Sequence, residues 1–428
     1  MSIQEEMRDL ALRSKAASRG LARLSAAEKD LALCAMADAI LAAAPALKIA
    51  NEADLEVGRS LGLGVAMMDR LALDDRRIAA MAQGLREVAA LPDPVGRILD
   101  ERTRPNGLRL RKIAVPIGVV VIIYESRPNV TADAASLCLK TGNATILRGG
   151  KEALNSNRLI ASTLVAAARA AVPGFPEDAI LVVPTSDREA IPALLSQTDC
   201  VDLCMPRGGE GLIRAVTACS KVPVIKHYKG VCHVYVHAAA DLDMAEEIVF
   251  NAKCQRPSTC NAAETLLVDR AVAARFLPCV TSRLLGKGVA FHADPESLSG
   301  IRFGAGNRPV EAREATEEDW STEYNDYVLN VRVVADVDEA IAHIHRHGSA
   351  HSDTIVTADT LVAGRFLHEV DSAAVYWNAS TRFTDGAEYG MGAEIGISTD
   401  KIGARGPMGL EELCTYKWQG FGTGQVRV

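Results

Sequence analysis

Up to about residue 90, apolar positions recur at helical spacing inside Ala-rich stretches. Ser25 with Glu28 makes a capping box ahead of LALCAMADAILAAA, Pro45 opens a further helical stretch, and IAAMAQGLREVAAL ends before Pro92 and Pro94. This spacing predicts a helical entry layer. ILDERTRPNGLRLRKIAV then alternates apolar and polar residues on both sides of Asn106-Gly107, a pair that tolerates the positive φ of a tight turn, and predicts a β-hairpin over about 98–114. From Ile117 onward, short uninterrupted apolar runs (GVVVIIY, ATILRG, AILVVP, VDLCMP, VPVIKHY) alternate with helical stretches such as TADAASLCLK and SNRLIASTLVAAARAAV. Strands apolar on both faces must be covered on both sides, and helices between them predict right-handed βαβ crossovers in a parallel sheet. A second series runs through HVYVH, ETLLVD, YVLNVRVVA, HSDTIVTAD and AAVYWN. The expected fold class is α/β, with two parallel-sheet domains in preference to one very large sheet.

Composition narrows the classes. The 428 residues are 48% hydrophobic and 24% charged, the balance of a globular chain with a sizeable core. With 47 Lys+Arg against 54 Asp+Glu the formal charge is -7, which leaves no basic field for nucleic-acid phosphates or anionic lipid. The N-terminal MSIQEEMRDLALRSKAASRG is charged throughout, unlike a signal peptide, and no run of about 18 uncharged apolar residues occurs. The expectation is a cytoplasmic protein with neither nucleic acid nor membrane as a partner. The ten cysteines are scattered and expected to be free thiols, with Cys200 and Cys204 on one face of a core strand. His343, His345, His347 and His351 fall around a predicted helix end beside Gly348, which reads as polar helix-terminal surface, so no metal is expected. Gly62-Leu-Gly64 lies between helices and Gly420-Phe-Gly422-Thr-Gly424 has no helix after it, so neither is a dinucleotide fingerprint.

The most informative segment is NAKCQRPSTCNAAE. Pro257 stops the preceding helix, which puts Cys260 on a turn before the strand ETLLVD, where a thiol can reach a ligand. Taken alone, such a cysteine is more often an inert buried residue than a nucleophile. Its setting matters more. PIGV from Pro116, GNATILR from Gly142, PRGGE from Pro206, the cysteine turn and EYNDY from Glu323 follow one another in an order and spacing that resemble the aldehyde dehydrogenase superfamily. QRPSTCNAAETLLVD, VYWNASTRFTDGAEYGMGAEIGIST and ARGPMGLEELCTYKW resemble one branch of it, the glutamate-5-semialdehyde dehydrogenases.

That resemblance implies a nucleotide-binding domain over 1–230 behind the helical layer, a catalytic domain over 231–400, a C-terminal segment over 401–428 used in oligomerisation, and a hairpin arm at about 98–114. It implies NADPH-dependent reduction of L-glutamyl 5-phosphate to L-glutamate 5-semialdehyde and phosphate, the second step of proline biosynthesis, in a homo-oligomer that receives its substrate by channelling from glutamate 5-kinase. Cys260 is then the nucleophile, since a thiolate both attacks and leaves well. Asn129 and the Cys260 N–H are the expected oxyanion donors. His227 stands where hydrolytic members carry a water-activating Glu, which fits a thioester discharged by hydride. It shuttles a proton or only positions its neighbours.

For the cofactor, Arg148 and Lys151 are expected to attract a 2′-phosphate, or else to be solvated charges at a helix start, while Gly208 and Gly209 open a helix toward the pyrophosphate and Glu323 meets the nicotinamide ribose. Arg127, Arg256 and Arg405 are the candidate substrate anchors, each with a surface ion pair as its alternative. Two rival functions stand beside this one: a hydrolytic NAD-dependent aldehyde dehydrogenase, and a catalytically silent scaffold of the same fold.

Overall fold

The computed structural model describes residues 1–305 and 309–427. The chain divides into two compact units, one formed by 1–226, 390–396 and 408–428, the other by 227–389 and 397–407. Residues 401–428 are thus shared between the units and do not form a segment of their own, because the strand Cys414–Phe421 is drawn into the first unit by sheet pairing.

The first unit opens with the helices Ile3–Leu21, Ala26–Ala42, Ala44–Ser60, Val65–Leu71 and Asp75–Ala90. Ser25 and Glu28 cap one another, with the Ser25 N–H donating to Glu28 Oε2 at 2.7 Å, and Ser2 with Glu5 forms the same box one helix earlier. Behind the helices lies a parallel sheet in the order Ile180–Val182, Ala144–Arg148, Val119–Tyr124, Leu203–Arg207. Every residue of Val119–Tyr124 is buried, as expected of a strand covered on both faces. The chain order along the sheet reverses beside this strand, the place where α/β sheets open a crevice at their carboxyl ends.

The run VPVIKHY, expected as a strand, makes only a single bridge between Cys204 and Val224. Pro223 has no N–H to extend a ladder, and the chain leaves for the second unit at His227. The expected hairpin forms: Ile98–Thr103 pairs antiparallel with Arg109–Pro116 around a turn in which Gly107 has φ 83. Cys414–Phe421 adds a third strand, with Trp418 opposite Lys112.

The second unit is built on a parallel sheet in the order Ala312–Glu314, Ala290–Ala293, Val328–Val334, Ala263–Asp269, Cys232–Val236, Ser352–Val356, Ala374–Trp377. The first two of these are short and escape the sequence pattern. Its core packs Val234, Leu266, Val268, Phe276, Phe291 and Val331 around the central strands. The histidines expected at a polar helix end are mostly buried instead. Within Val337–His347, the His343 ring lies 5.3 Å from Trp320 and 4.6 Å from His347. Burial pushes the His343 pKa down to about 2, so the ring packs uncharged as a flat aromatic. Cys200 also differs from expectation: it is buried but precedes the strand that begins at Leu203.

Candidate active site

In the first unit, a cavity of about 630 Å³ opens at the carboxyl ends of the strands. Glu125 and Ser126 enter it after Val119–Tyr124, Arg148 to Glu152 after Ala144–Arg148, and Ser186 to Pro192 after Ile180–Val182. Ser126 sits at φ 25, a conformation costly for a residue with a Cβ, and is held there because its N–H and Oγ both donate to Glu152 Oε1, at 3.0 and 2.6 Å. Arg148 is pinned rather than free to swing, with Nη1 on the Gly149 carbonyl at 2.5 Å and Nη2 on the Ser186 carbonyl at 3.0 Å. It props the loop that carries Arg188, a cation the sequence reading did not single out. Lys151 and Arg188 are exposed at the rim, and the three cations suit a ligand rich in phosphate.

Gly209 precedes the helix Glu210–Cys219, as expected, but its N–H already holds a carboxylate, Glu125 Oε2 at 3.1 Å. A Cβ on Gly208 would fall 2.5 Å from the same oxygen, so glycine is what lets Glu125 reach the helix end. A pyrophosphate at that end requires Glu125 to turn away. Asn129 begins the next helix and its amide donates to Asp133 at 2.9 Å. Burial raises the Asp133 pKa to about 6, partly offset by Asn129 and Arg207. Arg127 is exposed on the loop just before.

In the second unit, Cys260 lies half-buried on a turn closed by the Ala262 N–H on the Thr259 carbonyl at 2.9 Å. Three features fix this turn. A Cβ at Gly230 would sit 1.9 Å from the Cys260 carbonyl oxygen, so the two backbones touch and no larger residue fits. Cys232 Sγ donates to that same carbonyl at 3.3 Å. Burial holds Cys232 far above the usual thiol range, so it stays a neutral donor and does not compete as a nucleophile. Finally, Asn261 Nδ2 donates to the Thr384 carbonyl at 2.9 Å and Thr381 Oγ1 to the Asn261 carbonyl at 2.7 Å, strapping the loop after Ala374–Trp377 onto the turn.

That strap brings in Arg382, which no local pattern marks. Its Nε donates to Gln255 Oε1 at 2.8 Å and its Nη1 to Thr259 Oγ1 at 2.9 Å. Arg256 is exposed at the start of the same turn, with its carbonyl accepting from Thr259 Oγ1 at 2.8 Å.

His227 Nδ1 lies 2.7 Å from the Ile397 carbonyl, which only accepts, so Nδ1 carries the hydrogen of this bond. Its ring meets His351 edge-on at 5.6 Å, and His351 Nδ1 lies 3.7 Å from Cys232 Sγ. Burial pushes His351 down to about 3, which keeps this link uncharged. Glu323 is half-buried beyond the 3₁₀ turn Asp319–Ser321. Its charge helps burial raise the Glu264 carboxyl to about 7, against the buried Lys253 ammonium 2.7 Å away. Arg405 is committed elsewhere, with Nη2 on Asp371 Oδ1 and on the Asp371 carbonyl, each at 2.8 Å. The ion-pair alternative is what the structure holds.

Gly230 was legible only as a glycine just before a strand, a weak sign of close backbone approach. Cys232, Arg188 and Glu125 carried no sign in the sequence, and His351 was read there as helix-terminal surface although it is fully buried.

Comparison with known proteins places this geometry. The model of the aldehyde dehydrogenase family matches residues 2–296. The chain is 52% identical over 421 residues to a gamma-glutamyl phosphate reductase of Rhodospirillum rubrum, covering 98% of this chain and 96% of that one. It is 54% identical over 419 residues to the enzyme of the same name from Opitutus terrae, covering 98% and 97%. The crystal structure of gamma-glutamyl phosphate reductase from Thermotoga maritima superposes with a TM-score of 0.94 at 41% identity, over 99% of this chain and 100% of that one.

Proposed function

The chain belongs to the aldehyde dehydrogenase family and, within it, to the gamma-glutamyl phosphate reductases, and from that membership we propose that it reduces L-glutamyl 5-phosphate to L-glutamate 5-semialdehyde and inorganic phosphate, a step of proline biosynthesis. Cys260 Sγ bonds to the acyl carbon, the bond from that carbon to the phosphate oxygen breaks, and phosphate leaves with the electron pair. The acyl group then rests on the chain as a thioester. A nicotinamide cofactor, when bound, supplies hydride to this thioester, and Cys260 departs as the aldehyde forms.

The observation that carries the reading is the build of the cysteine turn: a half-buried thiol whose backbone is clamped by Gly230 and Cys232 and flanked by Arg256 and Arg382. Such preorganisation suits nucleophilic attack on an anionic acyl phosphate. The Cys260 N–H and the Asn129 amide are the proposed donors to the developing oxyanion, which asks Asn129 to share its amide with Asp133. His227, held by its Nδ1 hydrogen on the Ile397 carbonyl, is an imidazole in place of a water-activating carboxylate, which supports discharge by hydride over hydrolysis.

Lys151, Arg188 and the pinned Arg148 support NADPH as the form of the cofactor, with Gly208 and Gly209 at its pyrophosphate and Glu323 at its nicotinamide ribose. Arg127, Arg256 and Arg405 are the proposed substrate anchors, with Arg256 on the cysteine turn. The proposal extends to a cytoplasmic homo-oligomer fed by glutamate 5-kinase. In its support, no single helix among the described residues is long and apolar enough to cross a membrane, and the arm sheet leaves Tyr416 and Trp418 exposed on one face and Phe421 on the other.

The test is phosphate-dependent oxidation of glutamate semialdehyde, run in parallel with NADP and NAD. Turnover that requires phosphate, prefers NADP and vanishes in Cys260→Ala is the expected result. Phosphate-independent release of glutamate would overturn it.

A further inference from the structure

Cys260 attack must expel a phosphate dianion, and the oxygen that leaves is bonded to the very carbon the sulfur approaches. The phosphate therefore departs next to the Cys260 turn, whereas the substrate's α-carboxylate lies at the far end of the glutamyl chain. A cation that serves the leaving group has to be anchored on the turn itself. Arg382 meets this condition. Its guanidinium is tied through Nε to Gln255 and through Nη1 to Thr259, the residue before the nucleophile. Its backbone is strapped to the other side of the turn, where Asn261 Nδ2 donates to the Arg382 carbonyl at 3.3 Å and to the Thr384 carbonyl at 2.9 Å. The head is about half-buried, which lowers its pKa, and the charges of Asp385, Arg256, Cys260 and Cys232 act on it in that order. Its bonds to Gln255 and Thr259 go to neutral acceptors and orient the planar group on the turn, while the Asp385 carboxylate offsets part of the cost of burying its charge.

We propose that Arg382 binds the phosphate of the acyl phosphate, stabilising it as it leaves and seating inorganic phosphate in the reverse reaction. Arg256, exposed at the start of the turn, adds a second and looser positive charge to the same place. This inference rests on the reading of the chain as an acyl phosphate reductase. It names the residue that makes the enzyme selective for a phosphate leaving group.

The experiment has two arms on the full chain. In the first, inorganic phosphate is titrated as a protectant of Cys260 against iodoacetamide, with alkylation of the Cys260 peptide read by mass spectrometry and no cofactor present. In the second, the KM for phosphate is measured in semialdehyde oxidation. Arg382→Met is expected to weaken both protection and phosphate KM by about 100-fold, and Arg382→Lys by about tenfold, the scale of losing a charge-assisted or a bidentate hydrogen bond. The KM for NADP should not change. If Arg382→Met does not fold, Arg382→Lys carries the test. Unchanged phosphate protection and KM in a folded variant overturns the assignment. So does a fall in kcat alone, or an equal rise in the KM of every reactant, since either marks a merely structural role. If wild-type enzyme turns over without phosphate, the functional reading fails instead, and the alkylation arm still decides whether Arg382 holds the anion.

Discussion

The cavity proposed for the cofactor and the cysteine turn proposed for the acyl phosphate are built differently. The cavity is rimmed by exposed long side chains, Lys151 and Arg188, on loops that leave strand ends, with Arg148 tied to backbone carbonyls beneath them. The turn is held by contacts that leave no slack: a glycine against a carbonyl, a neutral thiol on that same carbonyl, and a strap of hydrogen bonds from a distant loop. Recognition by charge falls off gradually with distance, so the cavity tolerates change. Bond formation needs reacting atoms within a fraction of an ångström of their position, so the turn does not.

Breaking the tighter region should have the larger effect. Gly230→Ala forces a Cβ into the Cys260 carbonyl, and kcat is expected to fall by about 100-fold, the scale of misplacing a reactive group by an ångström. NADP binding, followed by fluorescence titration, should be unaffected. Activity within twofold of wild type would mean that the turn has the slack denied to it here. The cavity should respond more mildly. Lys151→Glu is expected to lower the NADP to NAD ratio of kcat/KM by about tenfold, as a carboxylate repels a 2′-phosphate and accepts from a ribose hydroxyl. An unchanged ratio would shift cofactor selection from Lys151 to Arg188, where the same substitution tests it.

The smallest effect concerns stability and pH. His351 titrates near its ordinary value when unfolded but is pushed down to about 3 by burial when folded. The unfolded chain therefore takes up a proton that the folded chain refuses. The stability linked to His351 is complete above pH ~6.5 and is lost as pH falls from there toward about 3. A Tm series across this range should slope less steeply in His351→Asn, and identical slopes would mean that the buried ring is not the acid-sensitive element.

Strand and helix order was legible wherever residues alternate or cluster over several turns, as in GVVVIIY or SNRLIASTLVAAARAAV, because burial on both faces or on one stripe leaves a periodic mark. The short strands Ala290–Ala293 and Ala312–Glu314 left too few residues for a period to show. The buried histidines of Val337–His347 misled because His is polar in composition yet packs as an aromatic ring once it is uncharged. VPVIKHY misled in the opposite direction, since its apolar residues supply burial but Pro223 and the exit to the second unit deny it a ladder.

The sequence alone determined the fold class, through the periodicity of its strands and helices, and its family phrases marked Cys260 and His227 as the residues to look for, since these depend on residue type and local order. Tertiary structure alone decided which groups surround that nucleophile. Arg382 reaches Thr259 across 123 residues of chain, and Gly230 and Cys232, just before and at the start of the strand Cys232–Val236, meet the Cys260 carbonyl. Hydrogen bonds and steric contact act over ångströms in space, and sequence distance carries no record of them.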